Sequence, residues 1–267
     1  GGAGKTTTIK MLTGLIKPTS GALSLFGRTA GDFTVRSKLG YLPEQPYFYD
    51  YLKADELLDI FGMICGVPED VRKKRITALL DRVGLGDTSG KTLRKFSKGM
   101  VQRAGIAQAL INDPELVILD EPLSGLDPVG RKEIRDLIAS LRDEGKTVFF
   151  SSHILSDIEM ICDRVAIIDR GLIRCAGTLD ELLNPEKVLY EIIATTVDDG
   201  ILKKFVLEGS EVERFGDAVK VKTPEEKSGA IIKEILNAGG HVRSATTRRE
   251  SLEDLLIREA LKERKNG

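Results

Sequence analysis

The sequence has no tryptophan, two histidines, three cysteines and only 5% aromatic residues. Cys65, Cys162 and Cys175 lie far apart with no Cys-x-x-Cys spacing, which argues against a zinc site and a disulfide framework and favours a reducing, cytosolic setting. Charge of one sign is also lacking: 40 Lys and Arg face 41 Asp and Glu, a net charge of -1. Proteins held to nucleic acid by bulk charge carry a basic stripe or a high isoelectric point, so no nucleic-acid partner is expected. No run approaches the roughly 18 to 20 apolar residues of a membrane-spanning helix. The opening residues do not read as a signal peptide. If the protein works at a membrane, another chain is expected to span it.

What is present has the pattern of a layered α/β chain. At 267 residues there is room for one large domain with an annex, or for two domains. Short, continuous, β-branched runs predict buried parallel strands of one sheet at LVILD (116–120), TVFF (147–150) and VAIID (165–169). Ile134, Leu137, Ile138 and Leu141 fall at i, i+3, i+4 and i+7, one face of a helix. A helix over 6–15 would bury Ile9 and Leu12, ALSLF (22–26) and LGYL (39–42) are shorter strand candidates, and 53–111 reads as mostly helical. Strands joined by right-handed helical crossovers give an α/β core.

The pattern changes after Gly177, with a short helix at 179–183 and Pro185 as punctuation. From 188 the order is strand VLYEIIA, helix 199–207, strands EVERF and AVKVK, helix 225–237, strand HVRSAT and helix 251–264. That β-α-β-β-α-β series with one added helix resembles the split βαβ, ferredoxin-like arrangement. The expected domains are therefore 1–184 and a small α+β domain at 185–267.

Five short segments carry chemistry. GGAGKTTT (1–8) places Lys5 and Thr6 where a loop becomes a helix, so that backbone N–H groups close around phosphate oxygens and the helix terminus adds positive potential. Lys5 would reach the β- and γ-phosphates of ATP, Thr6 would ligate Mg2+, and Gly2, Ala3, Gly4 and Thr7 would line the cradle. A full loop of this kind has a glycine five positions before Gly4 and a buried strand to aim it. Neither is in this sequence, so the chain is expected to be N-terminally truncated and to bind ATP poorly alone. LVILDEP ends a hydrophobic strand in two acids, putting Asp120 and Glu121 at the carboxyl edge of a parallel sheet, where α/β proteins place ligands. Asp120 is expected to hold Mg2+ and Glu121 to deprotonate the attacking water. In FSKGMVQR, Ser97 can cap a helix whose amides, with Gly99 permitting close approach, point at a γ-phosphate. Lys98 either adds charge beside that phosphate or is solvated. SGLD contributes Asp127, followed by Pro128 as a helix start, and SSH places His153 within reach of the γ-phosphate.

In this order the segments resemble the Walker A, signature, Walker B, D-loop and H-loop segments of an ATP-binding-cassette ATPase, over roughly residues 1–178. The resemblance implies a P-loop NTPase core with a helical subdomain inserted at about 53–111. It also implies the ATP-hydrolysing subunit of an export-type membrane transporter, cytoplasmic and peripheral on the inner face of the membrane. Two such subunits, identical or closely related, would pair head to tail, with Ser97 and Gly99 reaching the partner's ATP and Asp127 at the seam. A separate integral membrane subunit would do the transport. Phe96, Lys98 and Met100 depart from the family's Leu-Ser-Gly-Gly-Gln, and Gly1 stands where the family usually has Asn. The family's lid glutamine aligns with Glu44, with Gln45 next, and either fills the role. Tyr47, Phe48, Tyr49 and Tyr51 behind that lid are either core or an exposed socket for a short helix of the membrane partner. A soluble cassette ATPase acting on DNA or ribosomes is the rival, but Lys5 and Ser97 are only 92 positions apart, without room for a long coiled coil. A non-hydrolysing switch is opposed by the presence of Glu121 and His153.

Overall fold

The apolar runs around residues 40, 118 and 149 become neighbouring strands, and everything that positions the site is built on their ends. The computed structural model describes residues 3–88, 90–183 and 188–257. They divide into two compact units, Gly1–Cys162 with Ile167–Arg174, and Asp163–Ala166 with Cys175–Gly267. The first unit carries α1 (Lys5–Leu12), β1 (Ser24–Leu25), β2 (Arg28–Thr29), α2 (Phe33–Arg36) and β3 (Leu39–Leu42). Three helices follow, α3 (Ala54–Ile64), α4 (Glu69–Arg82) and α5 (Lys98–Leu110), and then β4 (Leu116–Leu119), α6 (Pro128–Asp143), β5 (Thr147–Phe150) and α7 (Leu155–Ile161).

β3, β4 and β5 form a parallel sheet in that order, with Leu39 opposite Leu116 and Leu116 opposite Thr147. All four side chains of the central strand β4 are buried, and their alternation serves two cores. Val117 and Leu119 join the large cluster with Leu58, Ile106, Ile134 and Leu141, whereas Leu116 and Ile118 pack with Ile9. A side chain of this size contributes about 1.5–3 kcal/mol when fully buried, so the strand is fixed from both faces. Against β3, Gly40 lets the α5 backbone approach: a β-carbon there would lie 2.0 Å from the Ala109 carbonyl oxygen.

Three expectations need correction. VAIID forms β6 (Arg164–Asp169), but β6 pairs with β7 (Leu172–Thr178) in a separate two-stranded sheet and does not join the parallel one. Arg170 (φ 48°) and Gly171 (φ 80°) make the two-residue turn that favours a local hairpin, and no residue of β6 is buried where β4 is buried throughout. The same device, Phe26 and Gly27 at φ 53° and 71°, shortens ALSLF to the two residues of β1. The first helix ends at Leu12, ahead of the expected 15, because Gly14 turns at φ 71° and the Leu15 N–H folds back onto the Lys10 carbonyl.

In the second unit α8 (Leu179–Leu182) precedes β8 (Val188–Thr195), α9 (Asp199–Leu207), β9 (Glu211–Phe215), β10 (Ala218–Pro224), α10 (Glu225–Asn237) and β11 (His241–Arg249), with further helix at 252–257. The sheet order is β11-β8-β10-β9 and every neighbouring pair is antiparallel. One sheet face, with Ile192, Ala194, Val219 and Val221, is covered by Leu202 and Phe205 of α9 and by Ile231 and Ile235 of α10. Gly2, Pro185 and the expected helix beyond 257 lie outside the described residues.

Candidate functional site

Each β-strand of the parallel sheet delivers its functional residue just past its carboxyl end. The loop into α1 comes first. Gly4, at φ 103°, is the N-cap of α1, and a β-carbon there would meet Ile168 Cδ1 at 3.3 Å and the Gly171 Cα at 3.5 Å. The Gly171 N–H donates to the Ala3 carbonyl at 2.9 Å, so the tip of the β6–β7 hairpin holds the loop from behind. The Thr8 N–H and hydroxyl both donate to the Gly4 carbonyl, which leaves the amides of the first turn, Lys5, Thr6 and Thr7, for an anion.

The acidic pair follows β4. The Asp120 N–H donates to the Leu42 carbonyl, extending the β3–β4 ladder by one residue and burying the carboxylate completely. Glu121 turns sharply, at φ 51°, and is 8% exposed. One of its oxygens lies 3.5 Å from Lys5 Nζ and the other 2.8 Å from His153 Nδ1. The contact brings the His153 ring within hydrogen-bonding distance of the carboxylate through Nδ1. Burial, and then the nearby Asp120 charge, hold the Tyr41 phenol above its ordinary pKa. Asp120 Oδ2 is buried and finds no hydrogen-bond partner among the described residues. A buried carboxylate oxygen without a donor is the ligand a hard divalent cation takes, so Mg2+ fits this place.

The remaining expected residues stay at the surface. Ser97 caps α5, accepting from the Met100 N–H at 3.3 Å, and is exposed, with Gly99 half-buried in the first turn of the helix. Asp127 caps α6, accepting from the Gly130 N–H at 2.7 Å. Glu44 and Gln45 are exposed, and Gln45 accepts from the Tyr47 hydroxyl at 3.0 Å. Of the aromatic group, Phe48 packs on the core while Tyr47, Tyr49 and Tyr51 are exposed. Lys98 is exposed, and its ammonium lies over Gly125, where an added β-carbon would sit 2.0 Å from Nζ, so it spans from the signature helix to the SGLD turn.

An ABC transporter family model matches residues 1–124. An uncharacterized ABC transporter ATP-binding protein of Nostoc sp. is 44% identical over 264 residues, 98% of this chain and 78% of the relative. The chain belongs to the ABC transporter ATP-binding proteins. The bacitracin transport ATP-binding protein BcrA of Bacillus licheniformis is 40% identical over 96% of this chain and 85% of that protein. A solved ATP-binding subunit of an ABC transporter superposes with a TM-score of 0.62 at 35% identity, covering 68% of this chain and 77% of the other. ABC ATP-binding proteins are ATPases coupled to transport, and this chain is an ATP-binding subunit that powers a transporter. No helix among the described residues is long and apolar enough to cross a membrane.

Sequence reasoning passed over Ser151. Its hydroxyl donates to Asp120 Oδ1 at 2.6 Å and accepts from the Glu121 N–H at 2.9 Å. The serine stood within the SSH segment, but no local pattern reports a bond across 31 residues. Arg135 of α6, paired with the buried Asp157 of α7, was equally silent.

Proposed function

We propose that this subunit hydrolyses ATP with Glu121 as general base, and that it does so in a head-to-tail pair of ATP-binding subunits. The single observation that carries the reading is the Glu121 carboxylate held between Lys5 and His153 beside the unpartnered Asp120 oxygen. The amides of Ala3, Gly4, Lys5, Thr6 and Thr7, with Gly2, bind the phosphates, and the Lys5 ammonium attracts the terminal one. Thr6 and Asp120 would hold Mg2+, which when bound would supply positive charge to offset the charge of the phosphates. Glu121 takes the proton of the attacking water, and His153 orients that carboxylate through Nδ1 while its other nitrogen meets the γ-phosphate. The lid role at Glu44 and Gln45 goes to whichever side chain swings in from solvent.

Exposure of Ser97 and Asp127, each bonded through its side chain only within its own helix cap, supports their use on a partner's nucleotide, with the half-buried Gly99 beside Ser97. The partner is a second ATP-binding subunit, the same or a relative. The membrane is crossed by a separate integral subunit, on whose cytoplasmic side this chain works, and the outward direction rests on the resemblance to export-type cassettes; one relative is named a bacitracin transport ATP-binding protein. We also read the β11-β8-β10-β9 sheet with α9 and α10 on one face as a ferredoxin-like accessory domain over 185–267, following an ATPase domain that runs to about 184 and contains the helical subdomain at about 53–111.

Replacing the base tests this. Glu121→Gln in the full-length protein is expected to keep ATP binding and to slow turnover by roughly 10² to 10⁴, the usual worth of a positioned base. Turnover near the parent rate would remove Glu121 from the role.

A further inference from the structure

We propose that Ser151 is a positioning residue for hydrolysis, setting the Glu121 backbone and assigning the two oxygens of Asp120 to different tasks. The inference rests on the roles given to Asp120 and Glu121 above.

The geometry starts at the sheet. β5 ends at Phe150, opposite Leu119, and the Ser151 N–H continues the ladder by donating to the Leu119 carbonyl at 3.0 Å. That places the serine side chain, 7% exposed, beside the first residues past β4. Its single hydroxyl then satisfies two buried groups at once. It accepts from the Glu121 N–H at 2.9 Å and donates its own proton to Asp120 Oδ1 at 2.6 Å.

Both bonds act on chemistry. Glu121 adopts φ 51°, a value that a β-carbon disfavours and that persists only where surrounding contacts over-determine it. The Ser151 oxygen is the contact on its N–H, and it therefore helps aim the carboxylate that lies between Lys5 and His153. On Asp120 the hydroxyl occupies Oδ1, so the carboxylate cannot turn freely and Oδ2 alone is presented without a donor. An apolar residue at 151 would leave the buried Glu121 N–H and Asp120 Oδ1 both unpaired. Neither Lys5 nor His153 can replace it, because each already faces a side-chain oxygen of Glu121 and not its backbone.

Four variants of the full-length protein test the assignment: Ser151→Ala, Ser151→Thr, Glu121→Gln and the Ser151→Ala, Glu121→Gln double variant, each assayed for kcat and KM with Mg2+ and ATP. Ser151→Ala is expected to lower kcat roughly 10- to 10²-fold with little change in KM, since a base misplaced by about an ångström costs that much. Ser151→Thr keeps a hydroxyl at the same carbon and recovers most of kcat. In the Glu121→Gln background, where there is no base left to aim, Ser151→Ala adds less than about twofold. A kcat for Ser151→Ala within about twofold of the parent overturns the proposal, and so does a loss that multiplies in full with Glu121→Gln, which would show that Ser151 does not act through the base. Normal turnover by Glu121→Gln alone would instead defeat the base assignment, whereas a crippled Glu121→Gln beside an unaffected Ser151→Ala defeats only the role given to Ser151.

Discussion

The acidic end of β4 and the signature and lid segments belong to the same unit, yet they treat their polar groups in opposite ways. Asp120, Glu121 and Ser151 are all buried and bonded to one another or to Lys5 and His153, whereas Ser97, Glu44, Gln45 and Asp127 lie at the surface, and the side-chain bonds of Ser97, Gln45 and Asp127 are local. The cause is position in the fold. Residues at the end of a central parallel strand inherit burial from the helices on both sheet faces, and every polar atom there needs a partner. Residues capping the outer ends of α5 and α6 have water as an alternative, so nothing within the chain fixes them further. One region ties its polar groups to one another, all but Asp120 Oδ2, and the other leaves them to water and to whatever docks there.

The sharpest way to break that contrast is to remove a partner from the buried side. Arg135→Met leaves Asp157, 2% exposed and with Oδ2 unpartnered among the described residues, as an uncompensated buried charge on α7. Denaturant unfolding of the full-length protein is expected to show a loss of about 3–5 kcal/mol. A loss below about 1 kcal/mol would mean that this region is no more self-contained than the surface one.

On the exposed side the same kind of change should spare the fold. Ser97→Glu keeps an oxygen able to reach the α5 amides but sets a negative charge where a partner's γ-phosphate is expected. Turnover should fall by about 10²-fold, the scale for losing one oriented donor, while ATP binding and melting temperature stay near the parent. Normal turnover would reduce the signature segment to an ordinary capped helix.

The smallest effect is expected at the tyrosines. Tyr47 and Tyr49 are 90% and 69% exposed, and Tyr49 rests on Tyr51 with ring centres 5.6 Å apart. Changing both Tyr47 and Tyr49 to Ala should leave stability within about 0.5 kcal/mol. Association with the integral membrane subunit should weaken by about tenfold, measured by copurification from membranes. Unchanged association would remove these aromatics from the docking surface.

How much of this was legible follows the same division. LGYL, TVFF, EVERF and two helices of the second unit, Asp199–Leu207 and Glu225–Asn237, lie where the sequence placed them, because local periodicity and turn residues decide such elements. VAIID was misplaced because its fate depends on which partner strand it finds, and the Arg170-Gly171 turn supplied a local one. Lys5, Asp120, Glu121 and His153 could be named from short motifs and do come together. Ser151 and Arg135 could not, since their value arises from bonds between strands and helices distant in sequence. The aromatic group illustrates both limits: composition flagged four residues, and only the fold sorts Phe48 inward from the three tyrosines.

The most direct test of an ATP site completed by a second subunit is the molar mass of full-length Glu121→Gln in solution, measured by light scattering with and without Mg2+ and ATP. With hydrolysis blocked, the account predicts a monomer that becomes a dimer when ATP is added, and a monomer throughout once Ser97→Glu is introduced as well. A Glu121→Gln protein that binds ATP and stays monomeric would contradict it.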